Sequence, residues 1–94
     1  MNRRRNKRTV LKISVLIKSL DPRLFFAEPG ATLDVSPCGC QVRAPRPFVN
    51  GTWIGLQLKT ENRLIAARVV RSIPAGSDTW RIGLELFRPE QAWG

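Results

Sequence analysis

The chain has no histidine, only two cysteines, and no apolar run approaching the length that spans a membrane. Without histidine, acid–base chemistry near neutral pH lacks its commonest agent. No nucleophile stands in an evident pair with a base and no acidic cluster offers itself to a metal, so the sequence argues against an enzyme. Cys38 and Cys40 are separated only by Gly39, a spacing that disfavours a mutual disulfide. Two thiols without histidine cannot complete a closed four-ligand zinc site. Both read as reduced thiols of a cytosolic protein, packed near a turn. Aromatic residues make up only 7% of the chain, few for the stacking platforms of a single-strand nucleic-acid binder. There is no internal repeat and no long helical pattern.

Acidic residues are also scarce, 7 against 16 basic ones, for a formal charge of +9. The excess is uneven. Arg3, Arg4, Arg5, Lys7 and Arg8 lie in the first eight residues, and without these five the remaining 11 basic and 7 acidic residues leave only +4. A mildly basic domain therefore carries a strongly basic head, suited to an anionic partner: nucleic acid, anionic lipid or a phosphate-bearing small molecule. The plainer reading of such a run is a solvated tail. The stretch 10–20 is broken by Lys12 and Lys18 and followed by no small-residue cleavage site, which argues against a signal peptide and for a cytoplasmic protein.

Ninety-four residues suffice for one domain with a modest core, and a hydrophobic content of 43% argues that it folds. In 9–20, Leu11, Ile13, Val15 and Ile17 alternate with Lys12, Ser14, Leu16 and Lys18, the period of a half-buried strand. Asp21-Pro22 signals a turn. Leu24–Ala27 reads as a short strand or irregular loop ended by Glu28-Pro29-Gly30. ATLDVS at 31–36 is a further strand, closed by a turn at Pro37–Gly39, after which Cys40, Val42 and Ala44 face inward. Pro45, Pro47 and Asn50-Gly51 punctuate a loop. WIGLQLKT at 53–60 places Ile54, Leu56 and Leu58 on one side and reaches a hairpin turn at Glu61-Asn62. Arg63–Ile73 and Trp80–Phe87 complete the strands, with a loop over 74–78 between them and Pro89 ending the pattern. The expected fold is all-β, a six- to seven-stranded antiparallel barrel that leaves no exposed edge. Its expected layout is a flexible basic arm over 1–8, the barrel over 9–88 and a short tail over 89–94.

Two motifs stand out against this frame. Arg4 and Arg8 form Arg-x-x-x-Arg just before the first strand, and Asp34, Ser36 and Gly39 form Asp-x-Ser-x-x-Gly between two strands. Each alone is weak: arginine pairs are common in basic tails, and Asp-x-Ser before glycine is often a turn bonding its own backbone. In this order and separation they resemble the PilZ domain family. LIAARVV resembles the family's penultimate strand and WRIGLELF its closing strand, so the similarity runs from Arg4 to about Phe87.

The resemblance implies a small stand-alone bacterial receptor domain that binds the second messenger cyclic di-GMP, without a cofactor and without catalysis. The chemistry is consistent with this. Arginine grips phosphate bidentately, pairs with the O6/N7 edge of guanine and stacks on the purine face. Arg4 and Arg8 are then assigned to phosphate and guanine contacts, with Arg5 assisting. Asp34 and Ser36 accept hydrogen bonds from a guanine edge, and Gly39 shapes the turn or permits close approach. Pro37 and Cys38 depart from the basic or polar residues many relatives carry there. Arg3 and Lys7 read as general electrostatics and Trp53 and Trp80 as core or rim packing, while Arg71 could face the ligand from the penultimate strand but reads more plainly as an ordinary solvated residue. A lone receptor domain would signal through a protein partner not yet identified, with no stable nucleic-acid or membrane partner. The alternatives are an interaction module of the same fold without ligand, and a small basic barrel for single-stranded nucleic acid.

Overall fold

Alternating β-branched and aliphatic residues do produce strands throughout, and the core is the inward half of each. The computed structural model describes residues 9–58 and 63–87. Seven strands follow in order: β1 (Thr9–Val10), β2 (Ser14–Ser19), β3 (Ala27–Ser36), β4 (Gly39–Ala44), β5 (Trp53–Leu58), β6 (Arg63–Pro74) and β7 (Trp80–Leu86). All pairings are antiparallel, and there is no helix among the described residues. β3, β2, β5, β6, β7 and β4 lie side by side, and the β3–β4 pairing closes them into a barrel. β1 adds a short pairing to the far end of β3.

The barrel has no lumen. Val15 and Ile17, Val35, Cys40, Val42 and Ala44, Ile54, Leu56 and Leu58, Ile65, Ala67 and Val69, and Ile82, Leu84 and Leu86 fill it from the strands, with Phe48 entering from the loop after β4. Phe48 is held there by Ser72, which accepts from its N–H at 3.1 Å and donates to its carbonyl at 2.8 Å. Phe26 and Phe48 pack together with centroids 5.3 Å apart. The Arg46 guanidinium lies 4.8 and 4.7 Å from the two ring centroids and is clamped to Glu28 at 3.0 Å.

Two expectations require correction. The stretch 9–20 is not one strand: it breaks at 11–13, between β1 and β2. The pairing moves from Val10↔Asp34 to Ser14↔Ala31, so three residues of the first strand stand against two of β3. The fully buried Thr32 occupies this jog. Its hydroxyl accepts from Ile13 N–H at 2.8 Å and donates to the Leu11 carbonyl, while its own N–H donates to Ile13 O at 2.9 Å. The backbone groups freed by the break are thereby paired.

Second, Glu28-Pro29-Gly30 does not end a segment: β3 runs straight through it. Ser19 N–H donates to Phe26 O, which makes Leu16↔Pro29 a pair whose main-chain groups point away from each other. Pro29 therefore turns its nitrogen to the side of β3 that no strand occupies at this level, where the missing donor costs no ladder bond. Before it, Asp21 closes the turn after β2 by accepting from the Arg23 backbone N–H at 2.9 Å. That bond, then the Arg23 side chain, holds its carboxyl below the usual range. The expected arm 1–8, the Glu61-Asn62 turn and the tail 89–94 with Pro89 lie outside the described residues. No helix among the described residues is long and apolar enough to cross a membrane.

The Thr32 hydroxyl gives a direct test. Thr32→Val preserves shape but strands the Ile13 N–H and the Leu11 carbonyl, at a cost of about 1–3 kcal/mol for a buried unsatisfied group. Thr32→Ser keeps both bonds and loses one methyl, about 0.8 kcal/mol. Urea unfolding should therefore rank wild type, then Thr32→Ser, then Thr32→Val, with unchanged denaturant slope.

Candidate functional site

A filled barrel leaves only its outer surface for a ligand. Asp34, Ser36 and Gly39 all lie at the end of the β3–β4 hairpin, Asp34 half-buried on the outer wall and Ser36 and Gly39 buried. Strict alternation after the buried Thr32 would turn Asp34 inward. A bulge prevents it: the pairing runs Thr32↔Val42 and then Asp34↔Gln41, leaving Leu33 without an opposite residue. The extra residue resets the parity, so Val35 enters the core opposite Cys40 while Asp34 faces out beside Gln41. The Gln41 side-chain amide donates to the Asp34 carboxylate at 3.3 Å.

Ser36 and Gly39 are the last pair of the hairpin, joined by Pro37-Cys38, so the expected turn at Pro37–Gly39 is one residue shorter. Neither turn residue has positive φ, which excludes the primed hairpin turns and leaves proline in a position it favours in type I turns. The Ser36 hydroxyl is buried and closes the hairpin on itself, accepting from Gly39 N–H at 3.2 Å and donating to Gly39 O at 3.3 Å. Leu86 N–H donates to Cys38 O at 3.0 Å, tying the turn to β7. Gly39 is required by close approach: a Cβ there would lie 2.4 Å from the Leu84 carbonyl oxygen. Of the cysteines, Cys38 is exposed in the turn and Cys40 is buried in β4.

The arginine motif falls where the description stops. Arg4, Arg5 and Arg8 lie outside the described residues. The chain that follows them is placed, because Thr9 pairs with Val35 and Val10 with Asp34. The two residues that follow the basic head are thus paired with the strand end that carries Asp34 and Ser36.

Reading outward across the wall shows what the sequence left unassigned. Asp34 of β3 stands opposite Gln41 of β4, Gln41 opposite Gly83 of β7, and Gly83 opposite Arg71 of β6. A second bulge, between Val69 and Arg71, turns Arg71 outward by the same parity change that exposes Asp34. On one side of this row, Ser36, Gly39, Glu85 and Arg68 are successive cross-strand neighbours, and Arg68 is paired to Glu85 at 2.6 Å. On the other side Arg43 stands directly opposite Arg81. Arg71 is exposed, as a solvated residue would be, and its place opposite Gly83 is set by a register that the local sequence does not signal.

Trp80 packs on the core edge, while Trp53 on β5 stands opposite Arg68, partly exposed, against Phe87 with centroids 5.9 Å apart. Trp93 lies outside the described residues.

The comparisons agree with this architecture. A family model of the PilZ domain matches residues 2–92, and the chain belongs to that family. Among solved structures, it is similar to the K. pneumonia MrkH–c-di-GMP complex, with a TM-score of 0.67 at 17% identity. The similarity covers 92% of this chain and 45% of that one, so this chain spans less than half the length of its structural neighbour. No curated protein matches the chain.

The residues of this hairpin differ in what the fold demands of them. Gly39→Ala should lower the melting temperature, because β4 and β7 must part to admit the methyl. Overpacking of this kind costs about 1–3 kcal/mol, and each kcal/mol moves a domain of this size by roughly 4–8 °C. Asp34→Ala, on the outer face, should melt within about 0.5 kcal/mol of wild type. Differential scanning calorimetry of both variants checks the contrast.

Proposed function

We propose that this chain is a cyclic di-GMP receptor domain that works by binding and not by catalysis, in the bacterial cytoplasm. The observation that carries the reading is a conjunction. The family match spans both motifs, and the strand leading out of the arginine motif pairs with the strand end bearing Asp34. The structural neighbour is itself a complex with c-di-GMP.

Cyclic di-GMP is a dianion with two guanine bases. In this reading Arg4 and Arg8, with Arg5, supply charge-assisted contacts to phosphate and to the guanine O6/N7 edge. Asp34 accepts from the N1–H and N2–H donors of a guanine. Ser36 assists from a hydroxyl already oriented by Gly39, whose missing side chain lets the hairpin sit tightly against β7. The placement of Asp34 matters because a carboxylate near a dianion is unfavourable unless it accepts hydrogen bonds from the base. Gln41 fixes that carboxylate from the neighbouring strand. The output passes to a protein partner or to a change of oligomeric state.

Isothermal titration with cyclic di-GMP is the test. Arg8→Ala and Asp34→Ala should each weaken binding by about thirtyfold or more, corresponding to roughly 2–5 kcal/mol for truncating one partner of a desolvated charged pair. Their salt responses should differ. Wild-type affinity should fall with added salt, that of Arg8→Ala less steeply, and that of Asp34→Ala about as steeply as wild type. If wild type shows no heat at high ligand concentration, the receptor reading gives way to a protein-interaction module of the same fold.

The head offers a second measurement. Residues 2–8 contain nothing apolar to bury, so their order must come from polar contacts. Amide exchange over this segment should slow when cyclic di-GMP is added. Equal protection with and without ligand would contradict the assignment of Arg4, Arg5 and Arg8.

A further inference from the structure

Arg71 occupies a prepared position. Gly83 is buried although it lies on the outer wall, and what covers it is the Arg71 side chain: a Cβ at Gly83 would lie 3.0 Å from Arg71 Nε and 3.1 Å from its Cγ. The Arg71 side chain therefore lies over Gly83 of β7, in the row that continues through Gln41 to Asp34, and the glycine lets it lie close to the backbone. Strands are about 4.8 Å apart, so Gly83 lies roughly 10 Å from the Asp34 column, across a floor made by Gln41 and glycine. Arg68 is neutralised by Glu85 and lies 5.9 Å from the Trp53 ring, but among the described residues Arg71 has no acidic partner. Nor have Arg43 and Arg81, which face each other directly across β4 and β7. Like charges opposite each other on adjacent strands are unfavourable, and among the described residues no ion pair offsets this one.

We infer that Arg71 is a ligand-binding residue, the far wall of the site that begins at Asp34, and that the field of Arg43 and Arg81 favours an anion above Gly83. This rests on the receptor reading and extends it to a wall that neither motif includes. Arg71 would take the part of a purine dinucleotide remote from Asp34, combining stacking beneath a base with a bidentate grip on a phosphate. A lysine can do neither.

Isothermal titration with cyclic di-GMP should compare wild type, Arg71→Ala, Arg71→Lys and Gly83→Ala, with Lys18→Ala on β2 controlling for the loss of one positive charge. Melting without ligand confirms that each variant is folded. Arg71→Ala and Arg71→Lys should each lose at least tenfold in affinity, Gly83→Ala should lose affinity by displacing the arginine, and Lys18→Ala should bind within about twofold of wild type. If Arg71→Lys binds like wild type, the residue acts only as screened charge and the inference is overturned. The same holds if both Arg71 variants bind normally. Absence of wild-type binding overturns the receptor reading and this inference together, so the two failures are distinguishable.

Discussion

The fold turns on one buried hydroxyl. Thr32 sits where the first strand breaks, where β3 gains an extra residue, and where pairing passes from β2 to β1. Its side chain bonds the main chain of both Leu11 and Ile13. A strand cannot change parity inside a closed barrel without freeing backbone groups, and freed groups in a dry interior are costly. Thr32 supplies a donor and an acceptor at that point. Past it, Val35 fills the core and Asp34 meets solvent. An aliphatic residue here would leave the jog unpaired, and a straight β3 would bury a carboxylate.

The same device recurs on β6, where the bulge before Arg71 turns that arginine out while Ser72 turns in to hold Phe48. Both outward charges of the middle row, Asp34 at one edge and Arg71 at the other, thus follow irregularities in strands that are otherwise regular. Between them the wall is flattened by Gln41 and Gly83. A small barrel packed solid with aliphatic side chains has no interior to lend, so a recognition surface must be made by choosing what stands on the outside.

These relations explain what could be read from the residues. Strands were legible because alternation is a local property: Ile54, Leu56 and Leu58, or Ile82, Leu84 and Leu86, announce an inward face without reference to any other strand. The two motifs were legible through resemblance, and the structure places Asp34, Ser36 and Gly39 on one hairpin. The bulges were not legible, because a bulge depends on whether registers agree around the whole closed barrel. Pro29 misled for the same reason: proline reads locally as a terminator, and its tolerance depends on which way its nitrogen points relative to β2. Arg71 read more plainly as a solvated residue because its neighbour Gly83 is twelve positions away in sequence and directly opposite in the sheet.

Stability and recognition are unevenly mixed across this surface. Under the proposed function Gly39 and Ser36 belong to both, since one admits the Leu84 carbonyl and the other closes the hairpin with its own hydroxyl. Loss of binding on changing either would not by itself assign a contact. Asp34 and Arg71 are different. Their side chains leave the core untouched, and the bulges that aim them are formed by the backbone and by their neighbours. The opposed Arg43 and Arg81 go further, because their juxtaposition is unfavourable and neither has an ion pair among the described residues. Under the proposed function such a pair serves the ligand rather than the barrel. Here that pair lies beside Gly83, on the wall that runs from Asp34 to Arg71.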